Sequence, residues 1–221
     1  RLALVPSGVE LPGAGAREEA AGAADLRALL GVAPEAPVVG TVAALAPHKD
    51  HATLLGAAAV VAAQRPDVQF AWVGEGECRA ALERRRAELG LERRVHLLGF
   101  REDARGLLAQ FTVFALSSHL EGLCTSLLDA QALGVPVVAT AVGGVPDVVE
   151  DGRTGRLVPA RDPEALARAL LEALERPDER RRWAAAALES VRGFEVSRMV
   201  ERTLAEYEAV LRERRRGAAE A

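Results

Sequence analysis

The sequence predicts an α/β fold, a Rossmann-like parallel sheet with helices on both faces. Three observations predict it. Short apolar runs (Val38–Ala43, Val68–Val73, Val95–Leu98, Thr112–Ser117, Pro136–Ala139 and Gly155–Val158) read as buried strands. Stretches of helical spacing separate them, so each strand returns to the sheet through a crossover. Polar or glycine-bearing loops follow the carboxyl ends of several strands, where open parallel sheets bind ligands.

In chain order, Leu2–Val5 is a strand candidate ended by Pro6-Ser7-Gly8, and Leu11–Ala16 is loop. Glu18–Leu30 has helical spacing and stops at Gly31. Strand Val38–Ala43 leads through the loop Leu45–Asp50 into a helix over His51–Gln64. Strand Val68–Val73 runs into the turn Gly74-Glu75-Gly76 and then the helix Arg79–Leu89, whose charges at Glu83–Arg86 form a solvated face. Strand Val95–Leu98 ends at Gly99-Phe100, before a short helix over Asp103–Gln110. Thr112–Ser117 is followed by a polar elbow, Ser118-His119-Leu120-Glu121-Gly122. Thr125–Leu133 is then helical, with Leu127, Leu128 and Ala132 at core spacing, and Gly134 stops it. A short helix near Val145–Glu150 precedes the strand Gly155–Val158. Asp162 caps an amphipathic helix over Pro163–Leu174, and Pro177–Val191 follows. The last helix, Val196–Arg215, carries Val196, Val200, Leu204, Tyr207 and Leu211 on one stripe. Residues 1–195 thus read as one domain, and residues 196–221 as a carboxyl-terminal helix and tail.

Composition narrows the function. Apolar residues make up 49% of the chain, enough for a packed core. A net charge of −4 leaves no basic footprint for nucleic acid. Arg212–Arg216 reads instead as a solvated helix end favoured by the helix dipole. The longest apolar stretch, near Gly56–Ala63, is too short to span a bilayer. The amino-terminal residues lack the pattern of a secretory signal, and Cys78 and Cys124 have no motif spacing. Reduced thiols in a cytoplasmic protein are the expectation. Of the 28 Lys plus Arg, one is lysine: Lys49. A compact ammonium kept in a chain that otherwise uses Arg suits a phosphate site, although an ordinary surface lysine fits the same count.

The stretch from His119 to Thr140 carries the chemistry. Glu121 stands at a strand's carboxyl end, and Asp129 lies one to two turns into the next helix. Between them the helix N-terminus, about Leu123 to Thr125, offers free N–H groups of the kind that hold phosphate. Two acidic groups for hydroxyls around an anion cradle make a nucleotide-sugar site. Asp129 could equally be a surface residue of an amphipathic helix.

The run Glu121-Gly122-Leu123-Cys124-Thr125 through Asp129 to Thr140 resembles the signature of retaining glycosyltransferases of family 4, with the GT-B fold. That family carries Glu, seven residues, then Glu; here Glu121 is followed after seven residues by Asp129. Val5–Glu10, Gly40–Lys49, Gly74-Glu75-Gly76, Gly143–Asp147 and Gly152–Pro159 resemble further family loops in the expected order. The resemblance implies one half of a GT-B fold, the donor-binding carboxyl-terminal half. The acceptor-binding amino-terminal half is then absent from this chain, which begins at what resembles the interdomain crossover. It implies that Lys49 touches the donor diphosphate and Glu121 the transferred sugar, these two being the catalytic candidates. Asp129 would hold the ribose, one methylene short of the family's Glu. Gly74, Gly76, Phe100, Gly122, Leu123, Cys124 and Thr125 would complete the donor site, with Phe100 in the nucleobase loop. The family's usual Arg, five residues before the lysine, is Ala44 here. His48, His51 and Arg101 are the nearest replacements for that cation.

No cofactor or metal is expected. His48 and His51, with Asp50 between them, are a poor ligand set. Gly74-Glu75-Gly76 lacks the third glycine of a dinucleotide fingerprint, which argues against NAD. The implied reaction moves a glycosyl group from a nucleotide sugar to an acceptor hydroxyl with retention, and the isolated half would be inactive alone. A non-catalytic nucleotide-sugar-binding module and a GT-B sugar-nucleotide epimerase remain open.

Overall fold

The computed structural model describes residues 3, 5–11 and 22–219, with side chains as far as residue 213. Leu2 and Leu4 of the strand expected at Leu2–Val5 and the first part of the helix expected at Glu18–Leu30 lie outside the described residues. Six parallel strands form one sheet: β1 Val38–Val42, β2 Gln69–Val73, β3 Val95–Gly99, β4 Val113–Leu116, β5 Val137–Thr140 and β6 Arg156–Val158. Their order is β3-β2-β1-β4-β5-β6. The chain winds outward from β1 to β3, then returns to lay β4 on the other side of β1. At that reversal the loops after β1 and β4 diverge to opposite faces, which leaves a crevice at the strands' carboxyl ends.

The helices are α1 Leu26–Leu30, α2 His51–Gln64, α3 Arg79–Glu88, α4 Ala104–Leu108, α5 Thr125–Ala132, α6 Pro163–Glu175, α7 Pro177–Ser190 and α8 Val196–Ala219. The segment expected as a helix near Val145–Glu150 is a single tight turn, Val145–Asp147. Side chains alternate across the strands with a period of two. Val39, Phe70, Trp72, Val113, Ala115 and Val138 pack with Leu54 and Leu55 of α2 and Leu166 and Leu170 of α6. Val38, Ala71, Val73, Phe114, Leu116 and Val137 pack on the opposite face with Leu26, Leu107 and Leu127 of α1, α4 and α5. Both faces are thus covered, which explains why the strands read as continuous apolar runs rather than as alternating ones. Each large side chain buried this way contributes about 1.5–3 kcal/mol.

Aspartate side chains cap three of the described helices. Asp25 accepts from the Arg27 and Ala28 N–H groups, and Asp162 from Ala165 N at 2.8 Å. Asp50 starts α2 from a left-handed backbone, φ 46°, and its carboxylate accepts from Thr53 Oγ1 at 2.7 Å. Its capping bonds offset the strain of that conformation.

The opening segment meets the start of α8. Val9 N donates to Phe194 O at 2.7 Å, and Val196 N donates to Val9 O at 3.1 Å. Beyond this seam α8 leaves the domain surface: Leu204, Tyr207 and Leu211 are 55%, 65% and 56% exposed. No helix among the described residues is long and apolar enough to cross a membrane.

Candidate functional site

A cavity of about 540 Å³ opens at the crevice between β1 and β4. Four loops build it. Ala43, Ala44 and Lys49 follow β1, Gly74 and Glu75 follow β2, Phe100 and Arg101 follow β3, and Glu121, Leu123 and Cys124 follow β4. Thr125, Ser126 and Asp129 of α5 close one wall.

In its wall Lys49 Nζ donates to Glu121 Oε1 at 2.6 Å. The side chains are 16% and 6% exposed, so the pair is largely shielded from water. The lysine reaches this point because the tight turn Pro47–Lys49 folds back over the end of β1. Ser117 Oγ donates to the Lys49 carbonyl at 2.9 Å, and His119 N donates to the His48 carbonyl at 2.9 Å. These bonds tie the two loops together across the reversal. An ammonium has three protons, so Lys49 can hold Glu121 and still donate to ligand oxygens.

Cys124 occupies the N-cap of α5, and no side chain caps that end. Leu127 N and Leu128 N donate to the Cys124 carbonyl at 3.2 and 3.3 Å, which leaves the N–H groups of the cavity-lining Thr125 and Ser126 as the donors such a helix end can offer an anion. Lys49, Glu121, Thr125 and Ser126 line the same cavity, so a cation, a carboxylate and a helix N-terminus border one space. Gly74 lies in the left-handed region, φ 142°, and a Cβ there would sit 2.0 Å from the Ala43 carbonyl oxygen. Only glycine lets β2 pass so close under the β1 loop. Gly143, φ 51°, does the same against the Glu121 carbonyl oxygen, at 1.8 Å for an added Cβ.

A model of the glycosyl transferases group 1 family matches residues 24–190. The chain belongs to that family. Among its relatives is the lipopolysaccharide core biosynthesis glycosyltransferase LpsE of Rhizobium meliloti, 35% identical over 144 residues, covering 65% of this chain and 41% of that protein. Another is the GDP-mannose-dependent monoacylated alpha-(1-6)-phosphatidylinositol monomannoside mannosyltransferase of Corynebacterium glutamicum, 35% identical over 169 residues, covering 72% and 44%. Among solved structures, HepE of Anabaena in complex with UDP and glucose superposes with a TM-score of 0.78 at 29% identity, covering 83% of this chain and 51% of HepE. The sucrose-phosphate synthase of Thermosynechococcus elongatus gives 0.81 at 27% identity, covering 96% and 53%. The chain therefore spans about half the length of these relatives or less. The group 1 chain shares with its GT-B neighbours a parallel six-stranded sheet with helices on both faces.

Within this group 1 domain, Lys49, Gly74, Phe100, Glu121, Leu123, Cys124, Thr125 and Asp129 line one cavity. Gly76 and Gly122 do not line it. Gly76 packs under the β1 loop, where a Cβ would meet the Leu45 carbonyl oxygen at 2.5 Å, and the Gly122 carbonyl accepts from Gly144 N at 3.0 Å. Phe100 is 75% exposed at the cavity mouth, so it is not a core ring.

The three candidates to replace the missing Arg fare differently. Ala44 lines the cavity. Arg101 does too, but its guanidinium makes two 2.8 Å bonds to Asp103, which holds that carboxyl down to about 2. His51 is buried against Trp72, ring centroids 5.3 Å apart, and is directed into the core. Burial, then the nearby Lys49 charge, lowers its pKa to about 4, so it is a neutral imidazole at pH 7. His48 is absent from the cavity lining.

Asp129 has a partner that spacing does not reveal: Arg105 Nε of α4, 3.5 Å from Oδ1. Arg105 also donates to the Glu10 carbonyl at 2.7 Å. Ser118 is the other residue missed. Its hydroxyl donates to Glu121 Oε1 at 2.6 Å. The Ser-x-x-Glu spacing was the available signal, though it usually marks a helix start rather than a bond between the two side chains.

Proposed function

We propose that this chain is the donor-binding, carboxyl-terminal half of a retaining GT-B glycosyltransferase of family 4 type. The intact enzyme moves a glycosyl group from a nucleotide sugar to an acceptor hydroxyl. The observation that carries the reading is the Lys49–Glu121 pair at the sheet's reversal point, beside an uncapped helix end. A nucleotide sugar is a diphosphate between two polyols. Lys49 and the α5 N–H groups would meet the diphosphate, Glu121 the sugar hydroxyls and Asp129 the ribose. Phe100 and its loop would border the base.

In this reading the glycosidic bond to the diphosphate breaks as the acceptor approaches the same face of the sugar, and the departing phosphate oxygen helps take the acceptor's proton. The chain's contribution is to stabilise the charge growing on that oxygen through fixed donors, Lys49 and the α5 N–H groups. The HepE complex with UDP and the GDP-mannose-dependent relative support a nucleoside diphosphate ligand. The acceptor site would belong to an amino-terminal half, against which the exposed stripe of α8 would pack. Fast hydrogen exchange across residues 203–213 in the isolated chain, slowed when that half is supplied, would support this. Cytoplasmic residence belongs to the same proposal, since Cys78 and Cys124 are free thiols.

Calorimetry with UDP, GDP and ADP tests the reading, and at least one should bind. Failure of all three, with the fold intact, would refute a donor site. A non-catalytic binding module is the second reading. It is favoured by Ala44 in the cavity wall and by Arg105 competing for Asp129. Transfer activity, assayed with an amino-terminal half restored, separates the two.

A further inference from the structure

Glu121 has one oxygen committed and one uncommitted among the hydrogen bonds of the described residues. Both Lys49 Nζ and Ser118 Oγ donate to Oε1, each at 2.6 Å. Ser118 is fully buried, and its own backbone is held from a third strand: Thr140 Oγ1, at the end of β5, donates to the Ser118 carbonyl at 2.5 Å. Thr140 is fully buried as well. The neighbouring Ser117 is bonded to the Lys49 carbonyl. The elbow after β4 is therefore anchored to the turn after β1 on one side and to β5 on the other before Glu121 begins.

A glutamate has three side-chain torsions, and a lysine partner, itself on a flexible stem, restrains them weakly. A short, buried hydroxyl three residues away restrains them far better. Two donors on Oε1 leave Oε2 as the oxygen with acceptor capacity to spare for a ligand in the cavity that Glu121 lines.

We propose that Ser118 is a positioning residue for Glu121, seated by Thr140, and that its hydroxyl sets which carboxylate oxygen meets the sugar of the donor. The inference deepens the donor-site reading and rests on it for the identity of the ligand. Ser118 is fully buried and does not line the cavity, so it acts through Glu121.

The test uses Ser118→Ala in the full chain. The Thr140 bond to the Ser118 carbonyl is to backbone and survives the change. The affinities of UDP and UDP-glucose, and of GDP and GDP-mannose, are measured by calorimetry. Losing a hydrogen bond to a charged group should weaken the nucleotide sugar by about tenfold while the bare nucleoside diphosphate is unchanged. In a Glu121→Ala background, Ser118→Ala should leave that ratio where it is. A residue that only supports the fold would weaken both ligands alike, and that result overturns the proposal. Thr140→Val, on another strand, should move the ratio in the same direction, and it decides the matter if Ser118→Ala does not fold.

A second readout needs no ligand. Because Lys49 is the sole lysine, isotope-labelled lysine gives a single ε-carbon signal. Ser118→Ala should shift it as Glu121 turns, and an unmoved signal overturns the proposal. If the wild-type chain binds none of the four probes, the donor-site reading fails, while the lysine signal still decides whether Ser118 holds the pair.

Discussion

Replacing Lys49 by Met keeps the stem and removes the charge. Glu121, 6% exposed, then retains the Ser118 hydroxyl and loses its counter-ion. Breaking a fully buried pair costs about 3–5 kcal/mol. This pair borders an open cavity and Lys49 is 16% exposed, so water can recover part of that loss, and about 2 kcal/mol is expected. In a chain of this length that lowers Tm by about 4–8 °C. Nucleoside diphosphate affinity should fall by about 10- to 150-fold, the worth of about 1.5–3 kcal/mol for a charge-assisted bond to phosphate. The two losses have different causes and can be separated. Adding Glu121→Gln removes the stranded charge, so stability should return to within about 1 kcal/mol of wild type. Phosphate affinity should not return. Urea unfolding and calorimetry on the single and double variants read both quantities. Unchanged affinity in Lys49→Met would remove the lysine from the phosphate site. Recovery of affinity in the double variant would mean that the lysine acts only by neutralising Glu121.

Asp129→Ala should reduce the preference for a ribose-bearing ligand over its dideoxy analogue, yet still bind pyrophosphate. Full retention of that preference would end its ribose role, and tighter binding in Asp129→Glu would identify the short side chain as a reach defect. His51 should make stability depend on acid. Its folded pKa of about 4 lies below the ordinary 6.5, so the unfolded chain binds more protons between those values and stability falls as pH drops through that window. The integrated loss is about 3 kcal/mol, and His51→Leu should flatten the curve of urea midpoint against pH between 6.5 and 4. Gly143→Ala should weaken nucleotide-sugar binding without touching the cavity, because its Cβ would displace the Glu121 carbonyl. Equal binding in a folded Gly143→Ala protein would show that the Glu121 loop yields at no cost to the site.

The order of elements was legible because its signals are local. The helix His51–Gln64 and the start of Thr125–Ala132 follow from residues that cap, repeat or stop within a few positions of each other. The edge that carries the cavity was legible for the same reason: Lys49, Gly74, Phe100 and Glu121 each follow a strand, and in a parallel sheet every such position points to one side. Chemistry at this level depends on residue type and on the period of two or of 3.6, and the sequence carries both.

Partner choice was not legible. Lys49 and Glu121 are 72 residues apart, and they meet because β4 lies next to β1. Strand order is decided by which faces the crossovers must bury, a property of the whole chain. His51 looked like a cation for the cavity and is instead buried on Trp72 of β2, where the first turn of α2 places it. Asp129 is on the expected helix at the expected spacing, but Arg105 arrives beside it from α4, which packs on the same sheet face. The sequence by itself determined which groups could bond and at which edge they would gather. The tertiary structure decided which groups reach one another, because hydrogen bonds and ion pairs form over about 3 Å and only packing across the sheet brings distant residues within that range.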